Sequence, residues 1–555
     1  MLLHALGALL MVTMAGQDAT PAARVDAVFK EYDSSSSPGC AVAVFQDDKI
    51  LYKRAYGMAN LDHDVRLSTS SVFHVASVSK QFTAAAILLL AQDGKLGLDD
   101  DIRRHVPELP DFGTTITIRQ LANHTSGIRD QWDLLGLAGW RYSRDLITDD
   151  DVLELLARQK ALNFPPGTRH MYSNSGYTVL AVIVSRASGQ SFRAFTSERI
   201  FTPLGMTNTH FRDAFNEVVK NQAYGYAPYE KTFRLSTTNF DTAGATSLLT
   251  TVEDMAKWYA NFDTGKVGGD RLLGSLLDRG VLKDGTRIDY AFGMSHGTYR
   301  GAATIGHGGA DAGYRADFVR FTNPRLGVAT LCNIATANPS ALSRRVAEVF
   351  LPDGTLTAAA EEKPDTSPEV PLPKEQRARY AGLYWNQADG IERQIVLDAA
   401  GRLQAVLGPR RVPLKSLGGG AFIMTAPPGA RIWFEEQPDG AVHLKPAPTA
   451  PVLVRMAPFT PSADQLAEYA GVYRSDEMDA VFRISIKDGK LQLVRTKLRP
   501  AAIDSMFKDS FRSPTGVIQF SRDAAGRVSG FQLQGGRVRQ VTFWKDTSAP
   551  RTGTY

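Results

Sequence analysis

Ser77-Val78-Ser79-Lys80 opens an apolar run that continues through Gln92 and stops at Gly94. A run apolar nearly all round predicts a fully buried helix over 77–92 with a glycine C-terminal cap. Positions i and i+3 share a helix face, so the Lys80 amine would stand beside the Ser77 hydroxyl. A serine hydroxyl is a poor nucleophile until something takes its proton, and a lysine can do so only where burial depresses its pKa. The helix start would also offer the Ser77 N–H to a developing oxyanion. Alone the motif is weak. S-x-x-K recurs by chance in a long chain, and an N-cap serine near a lysine would be the plainer account.

Further segments accompany it. Phe164-Pro165-Pro166-Gly167-Thr168 leads into Tyr172-Ser173-Asn174, and Gly306-His307-Gly308-Gly309-Ala310 follows later. S-x-x-K, then Y-x-N, then H-x-G resembles the serine β-lactamase and DD-peptidase superfamily. Within it the chain resembles the class C β-lactamase-like, D-Ala-D-Ala carboxypeptidase B-like branch. Leu121-Ala122-Asn123-His124-Thr125-Ser126-Gly127, Pro203-Leu204-Gly205-Met206 and Ala243-Gly244-Ala245 before Thr250-Thr251 match that branch too. The resemblance covers residues 38–335.

The resemblance implies roles that also make chemical sense. Ser77 would be acylated, with Lys80 and Tyr172 sharing the general-base work, since a phenolate stabilised by a nearby ammonium can accept the serine proton. Asn174 would hydrogen-bond Lys80 and the substrate amide. Gly309 would let the strand backbone approach substrate, and the Ala310 N–H would complete the oxyanion hole. His307 stands where many β-lactamases carry the lysine of K-T-G; the exchange removes a permanent cation and weakens the case for a penicillin carboxylate. His124, in HTSG, reads as a structural hydrogen-bonding residue. HExxH, a Walker A loop and a G-x-G-x-x-G helix opening are all lacking, so no metal and no cofactor are expected.

These residues need a scaffold. Residues 39–57 alternate β-type residues around Gln46-Asp47-Asp48 and predict a hairpin. Helical patterns recur at 151–160, 176–200 and 252–263, and strand patterns at 302–306, 313–321 and 327–333. Helices inserted between the first and last strands of one antiparallel sheet predict an α+β domain over residues 20–352, β-lactamase/transpeptidase-like in fold. A Pro-rich linker covers 353–374. Beyond it, QRARYAGLYW at 376–385 is echoed by QLAEYAGVYR at 465–474, each followed by short alternating strands with glycine turns. Two duplicated antiparallel modules over 375–457 and 461–555, each a small up-and-down β-barrel, fit this repeat.

Composition bounds the rest. The 555 residues are 43% apolar and 22% charged, with a net charge of +5. That describes a globular chain with no strong polyanion partner, so no nucleic acid is expected. The second module carries the whole positive excess, which fits a solvated face or an acidic surface such as cell-wall polymer. Residues 2–15 (LLHALGALLMVTMA) are too short for a stable anchor and read as a signal peptide over 1–15, despite an n-region without Lys or Arg. A secreted or periplasmic protein with no integral membrane anchor is expected. Cys40 and Cys332 lie in apolar, strand-like runs and are read as two buried thiols, pairing being the alternative for an exported chain.

A catalytic domain of this kind followed by two barrels resembles bacterial D-aminopeptidases, in which a loop of the last barrel reaches the active site and helps to select substrate. The leading expectation is a serine peptidase acting on D-amino-acid or peptidoglycan-derived short peptides. The alternatives are an esterase or weak β-lactamase with the same site, so that a peptide, an ester or a β-lactam is the partner, or a sensor that is acylated without turnover. Asp476, Glu477 and Asp479 follow the opening strand of the second module, where the first has only Asp389. They are the expected selecting loop, placing carboxylates for a substrate ammonium.

Overall fold

The computed structural model describes residues 20–358, 367–425, 430–447 and 450–548. The expected signal peptide and part of the Pro-rich linker lie outside them. A six-stranded antiparallel sheet organises the first part of the chain. Its strands are β1 (Cys40–Gln46), β2 (Lys49–Tyr56), β3 (Ser295–Tyr299), β4 (Ala302–Asp311), β5 (Tyr314–Thr322) and β6 (Arg325–Cys332). The order across the sheet is β3-β4-β5-β6-β1-β2, so the N-terminal hairpin pairs with the last strand and the intervening helices are looped out between them.

The period of two along β1 decides what each face packs against. Ala41, Ala43 and Phe45 join a core with Phe82 and Trp258. Cys40, Val42 and Val44 face the other way, onto Val25, Phe29, Leu342 and Val346. These come from two helices, Pro21–Phe29 and Pro339–Phe350. Helices therefore cover both faces of the sheet.

The sequence pattern ends the strand of the H-x-G motif at 306, where glycines begin; β4 runs on to Asp311. Gly306–Ala310 pair in unbroken register with Val319–Arg315, and that ladder overrides the weak β-propensity of glycine. Cys40 and Cys332 lie directly opposite each other in the β1–β6 register and form a disulfide, which corrects the expectation of two free thiols. Neither apolar run by itself reveals that the two strands are neighbours.

Each C-terminal module is a closed barrel of eight antiparallel strands in sequence order, over Gly382–Met456 and Gly471–Asp546. The repeat has a local cause. In both copies a short helix ends in a tyrosine whose carbonyl accepts a hydrogen bond from a tyrosine hydroxyl four residues on, Tyr384 to Tyr380 at 2.8 Å and Tyr473 to Tyr469 at 2.7 Å. Among the described residues no helix is long and apolar enough to cross a membrane.

The second barrel docks on the catalytic domain through a buried ion pair, Arg129 Nη1 to Glu477 Oε2 at 2.6 Å. Gln159 donates to the Glu477 carbonyl and Lys160 N to its carboxylate, both at 2.9 Å. Removing one partner of such a pair leaves a desolvated charge uncompensated. Glu477→Gln is therefore expected to lower the unfolding free energy by about 3–5 kcal/mol, read by denaturant titration. A loss below about 1 kcal/mol would show that the barrel is held by other contacts.

Candidate active site

Ser77 lies in a single 3-10 turn, Ala76–Ser79, and the α-helix proper runs from Lys80 to Gln92. The expected helix thus opens one turn tighter. Ala76 has φ +49°, and the Ser79 hydroxyl ties the turn down by donating to Ala76 O and accepting from Leu248 N. A Cβ on Gly309 would lie 2.2 Å from Val75 O, so only glycine lets β4 press against this turn. Gly309 therefore serves the approach of strand to turn. Ser77 is half-buried and Ala310, next along β4, is exposed.

Lys80 is fully buried. Its Nζ lies 3.1 Å from Ser77 Oγ, 2.9 Å from Asn174 Oδ1 and 2.7 Å from Ala245 O. A neutral amine has two N–H groups and one lone pair. With the two N–H groups on Asn174 and Ala245, the lone pair points at Ser77. Burial brings the Lys80 pKa down to about 7, against the raising influence of Asp130 and Asp311 and with help from Arg537. The amine form is thus accessible at neutral pH.

Tyr172 sits across the turn, its ring centroid 4.9 Å from Lys80 Nζ. Its hydroxyl faces Ser77 but forms no hydrogen bond of standard geometry. Burial pushes its pKa well above that of a free tyrosine. A resting phenolate is therefore disfavoured, and of the two groups Lys80 is the more readily deprotonated at neutral pH. His124 packs on the Tyr172 ring at 4.2 Å and accepts from Ser173 N at 3.2 Å.

His307 is also neutral near pH 7, because burial lowers its pKa to about 4. Its Nδ1 is 2.5 Å from Gly308 O and its Nε2 3.0 Å from the Tyr290 hydroxyl. The carbonyl can only accept, so Nδ1 carries the proton and Nε2 receives the Tyr290 O–H. His307 supplies shape and hydrogen bonding here, with no fixed charge.

Asp476, Glu477 and Asp479 do not reach this site. Glu477 is buried on Arg129, Asp476 lies 3.2 Å from Lys160 and Asp479 lies 3.8 Å from Arg158. The expected selecting loop is a docking loop, because cations of the catalytic domain occupy its carboxylates. Neutralising all three should therefore lower kcat/KM for free-amine and N-acylated substrates in equal proportion. A loss confined to free-amine peptides would restore the loop to substrate selection.

A different hairpin of that barrel enters the site. Arg537 lies between the last two strands, Val528–Gly535 and Val538–Asp546, with its guanidinium 5.7 Å from the Tyr172 ring centroid. Asp130, fully buried, accepts from Asn174 N at 2.7 Å and Asn174 Nδ2 at 2.8 Å. Asp311, directly after the H-x-G-A segment, accepts from Thr246 Oγ1 at 2.7 Å, and burial raises its pKa to about 7. None of these three was legible as a site residue, although Asp130 stands as an N-cap before the run Gln131–Ala138.

A family model described as Beta-lactamase matches residues 25–350. The D-aminopeptidase of Cereibacter sphaeroides is 28% identical over 463 residues, covering 81% of this chain and 82% of its own length. A penicillin-binding protein of Bacillus subtilis is 30% identical over 396 residues, covering 65% of this chain and 83% of its own. The octameric penicillin-binding protein homologue from Pyrococcus abyssi superposes with a TM-score of 0.51 at 21% identity, over 83% of this chain and 95% of that one. That likeness is one of fold.

Proposed function

The chain belongs to the Beta-lactamase family and is a serine hydrolase, and from that premise we propose that it forms an acyl-enzyme on Ser77 and cleaves short peptides or amides of D-amino acids. The observation that carries the mechanism is the buried Lys80 amine, 3.1 Å from Ser77 Oγ and with a pKa near 7. In acylation, the Ser77 proton passes to Lys80 Nζ while Oγ bonds to the scissile carbonyl carbon. The C–N bond then breaks, the proton reaching the leaving amine through Lys80 or the Tyr172 hydroxyl. Water attacks the resulting ester, releases the acid and restores Ser77.

Two features support the choice of substrate. The D-aminopeptidase alignment is longer than the catalytic region and so extends into the barrels. His307 is neutral and offers no permanent cation to a penicillin carboxylate. We further propose that the chain is exported; the Cys40–Cys332 disulfide favours an oxidising compartment.

Intact-mass spectrometry across a panel of D-peptides, simple esters and penicillin tests this reading. The expected result is a transient adduct on Ser77 with D-peptides, followed by steady product release. A penicillin adduct that accumulates to one equivalent, with no turnover of any peptide, would replace the peptidase with a sensor.

A further inference from the structure

We propose that Arg537, carried into the active site by the second barrel, is a positioning residue for catalysis: it fixes Asp130, and through Asp130 the Asn174 amide that orients Lys80. The proposal rests on the Ser77–Lys80 reading above and extends it to a residue in another domain. The contacts form one line. Arg537 Nη2 donates to Asp130 Oδ1 at 3.1 Å. Asp130 Oδ2 accepts from Asn174 N and Nδ2, and Asn174 Oδ1 accepts from Lys80 Nζ.

The chemistry gives each link a direction. An asparagine side chain has a donor end and an acceptor end, and the wrong end toward Lys80 would remove the acceptor that turns its lone pair to Ser77. Asp130, as a carboxylate, can only accept, so it holds the NH2 end and leaves the oxygen for Lys80. A fully buried carboxylate is costly unless a cation compensates it. Within the catalytic domain Asp130 has helix N–H groups, from Trp132 at 3.0 Å and Asp133 at 3.4 Å. The full positive charge comes from the barrel. Arg537 works against the burial that raises the Asp130 pKa.

The hairpin is built to hold Arg537 there. Arg537 N donates to Asp133 Oδ2 at 2.7 Å, its carbonyl accepts from Asn163 Nδ2 at 2.8 Å, and its Nε lies 3.3 Å from Asp133 Oδ2. Gly536 has φ +52°, and a Cβ there would lie 2.7 Å from the same carboxylate oxygen. Charged groups reach Lys80 from three elements: Asp130 from the loop before the helix Gln131–Ala138, Asp311 from β4 and Arg537 from the barrel. Tyr172, Tyr177, His124 and His307 also face it and are neutral near pH 7.

The test compares Arg537→Ala, Arg537→Lys and Asp130→Asn in the full chain, with Ser77→Ala as reference and thermal unfolding recorded for each. For Arg537→Ala, kcat should fall about 10–100-fold with KM within about threefold. The acid limb of kcat/KM should rise by about half a unit to one unit, since the guanidinium that lowers the Lys80 pKa is then gone. Asp130→Asn should move the limb the other way, and Arg537→Lys should recover at least about half of the loss on a logarithmic scale. Arg537→Ala with wild-type kcat overturns the proposal. So do unmoved limbs in both variants, or a lysine variant as poor as the alanine one, which would mean that Arg537 only seats the barrel. Activity surviving in Ser77→Ala would instead overturn the underlying reading of the site, so the two failures are distinguishable.

Discussion

Ser77→Ala is expected to abolish covalent labelling and to reduce turnover by at least about 10⁴-fold, the scale on which loss of a nucleophile acts in enzymes of this type. Nothing else near the turn can replace it. Ser79, its neighbour in the motif, is fully buried and already engaged with Ala76 O and Leu248 N. The fold should hardly notice the change. Ser77 Oγ pairs with Lys80 Nζ, and Lys80 keeps Asn174 and Ala245 as partners when the hydroxyl is removed. A loss of about 1 kcal/mol or less in stability follows. Thermal unfolding together with intact-mass labelling checks both halves, and full activity in the purified variant would remove Ser77 from the chemistry.

Lys80→Arg should be almost as inactive as Lys80→Ala, about 10²–10⁴-fold below wild type. Burial brings the lysine to a pKa of about 7, so an appreciable fraction is neutral under working conditions. An arginine cannot be deprotonated there, and its planar fork has no lone pair to turn toward Ser77. The sign of the pH dependence follows. The competent form of Lys80 is the unprotonated one, so wild-type kcat/KM should climb with rising pH through a limb near 7. Retention of more than about a tenth of wild-type activity by Lys80→Arg would reduce Lys80 to a fixed positive charge.

The sequence by itself determined whatever is local or periodic. The apolar run after Ser77 specifies a helix, and i, i+3 geometry on one turn puts Lys80 beside Ser77 without help from the rest of the chain. The spaced strand patterns specify the antiparallel sheet, and the repeated Tyr-x-x-x-Tyr segment, followed each time by alternating strands with glycine turns, marks two copies of one module. Tertiary structure alone decided what depends on neighbours distant in sequence. Cys40 meets Cys332 only because the first strand of the sheet pairs with the last. Glu477 reads from the sequence as a carboxylate of a substrate-selecting loop; docking buries it on Arg129, 348 residues away, and takes it out of reach of substrate. Arg537 stands in an unremarkable Gly-Gly-Arg hairpin, and only the seating of the barrel brings it to Asp130, 407 residues earlier. The division has one physical reason. Hydrophobic period and turn chemistry act over a few residues and leave a pattern, whereas a buried charge must be compensated by whichever group the packed fold brings within about 3 Å.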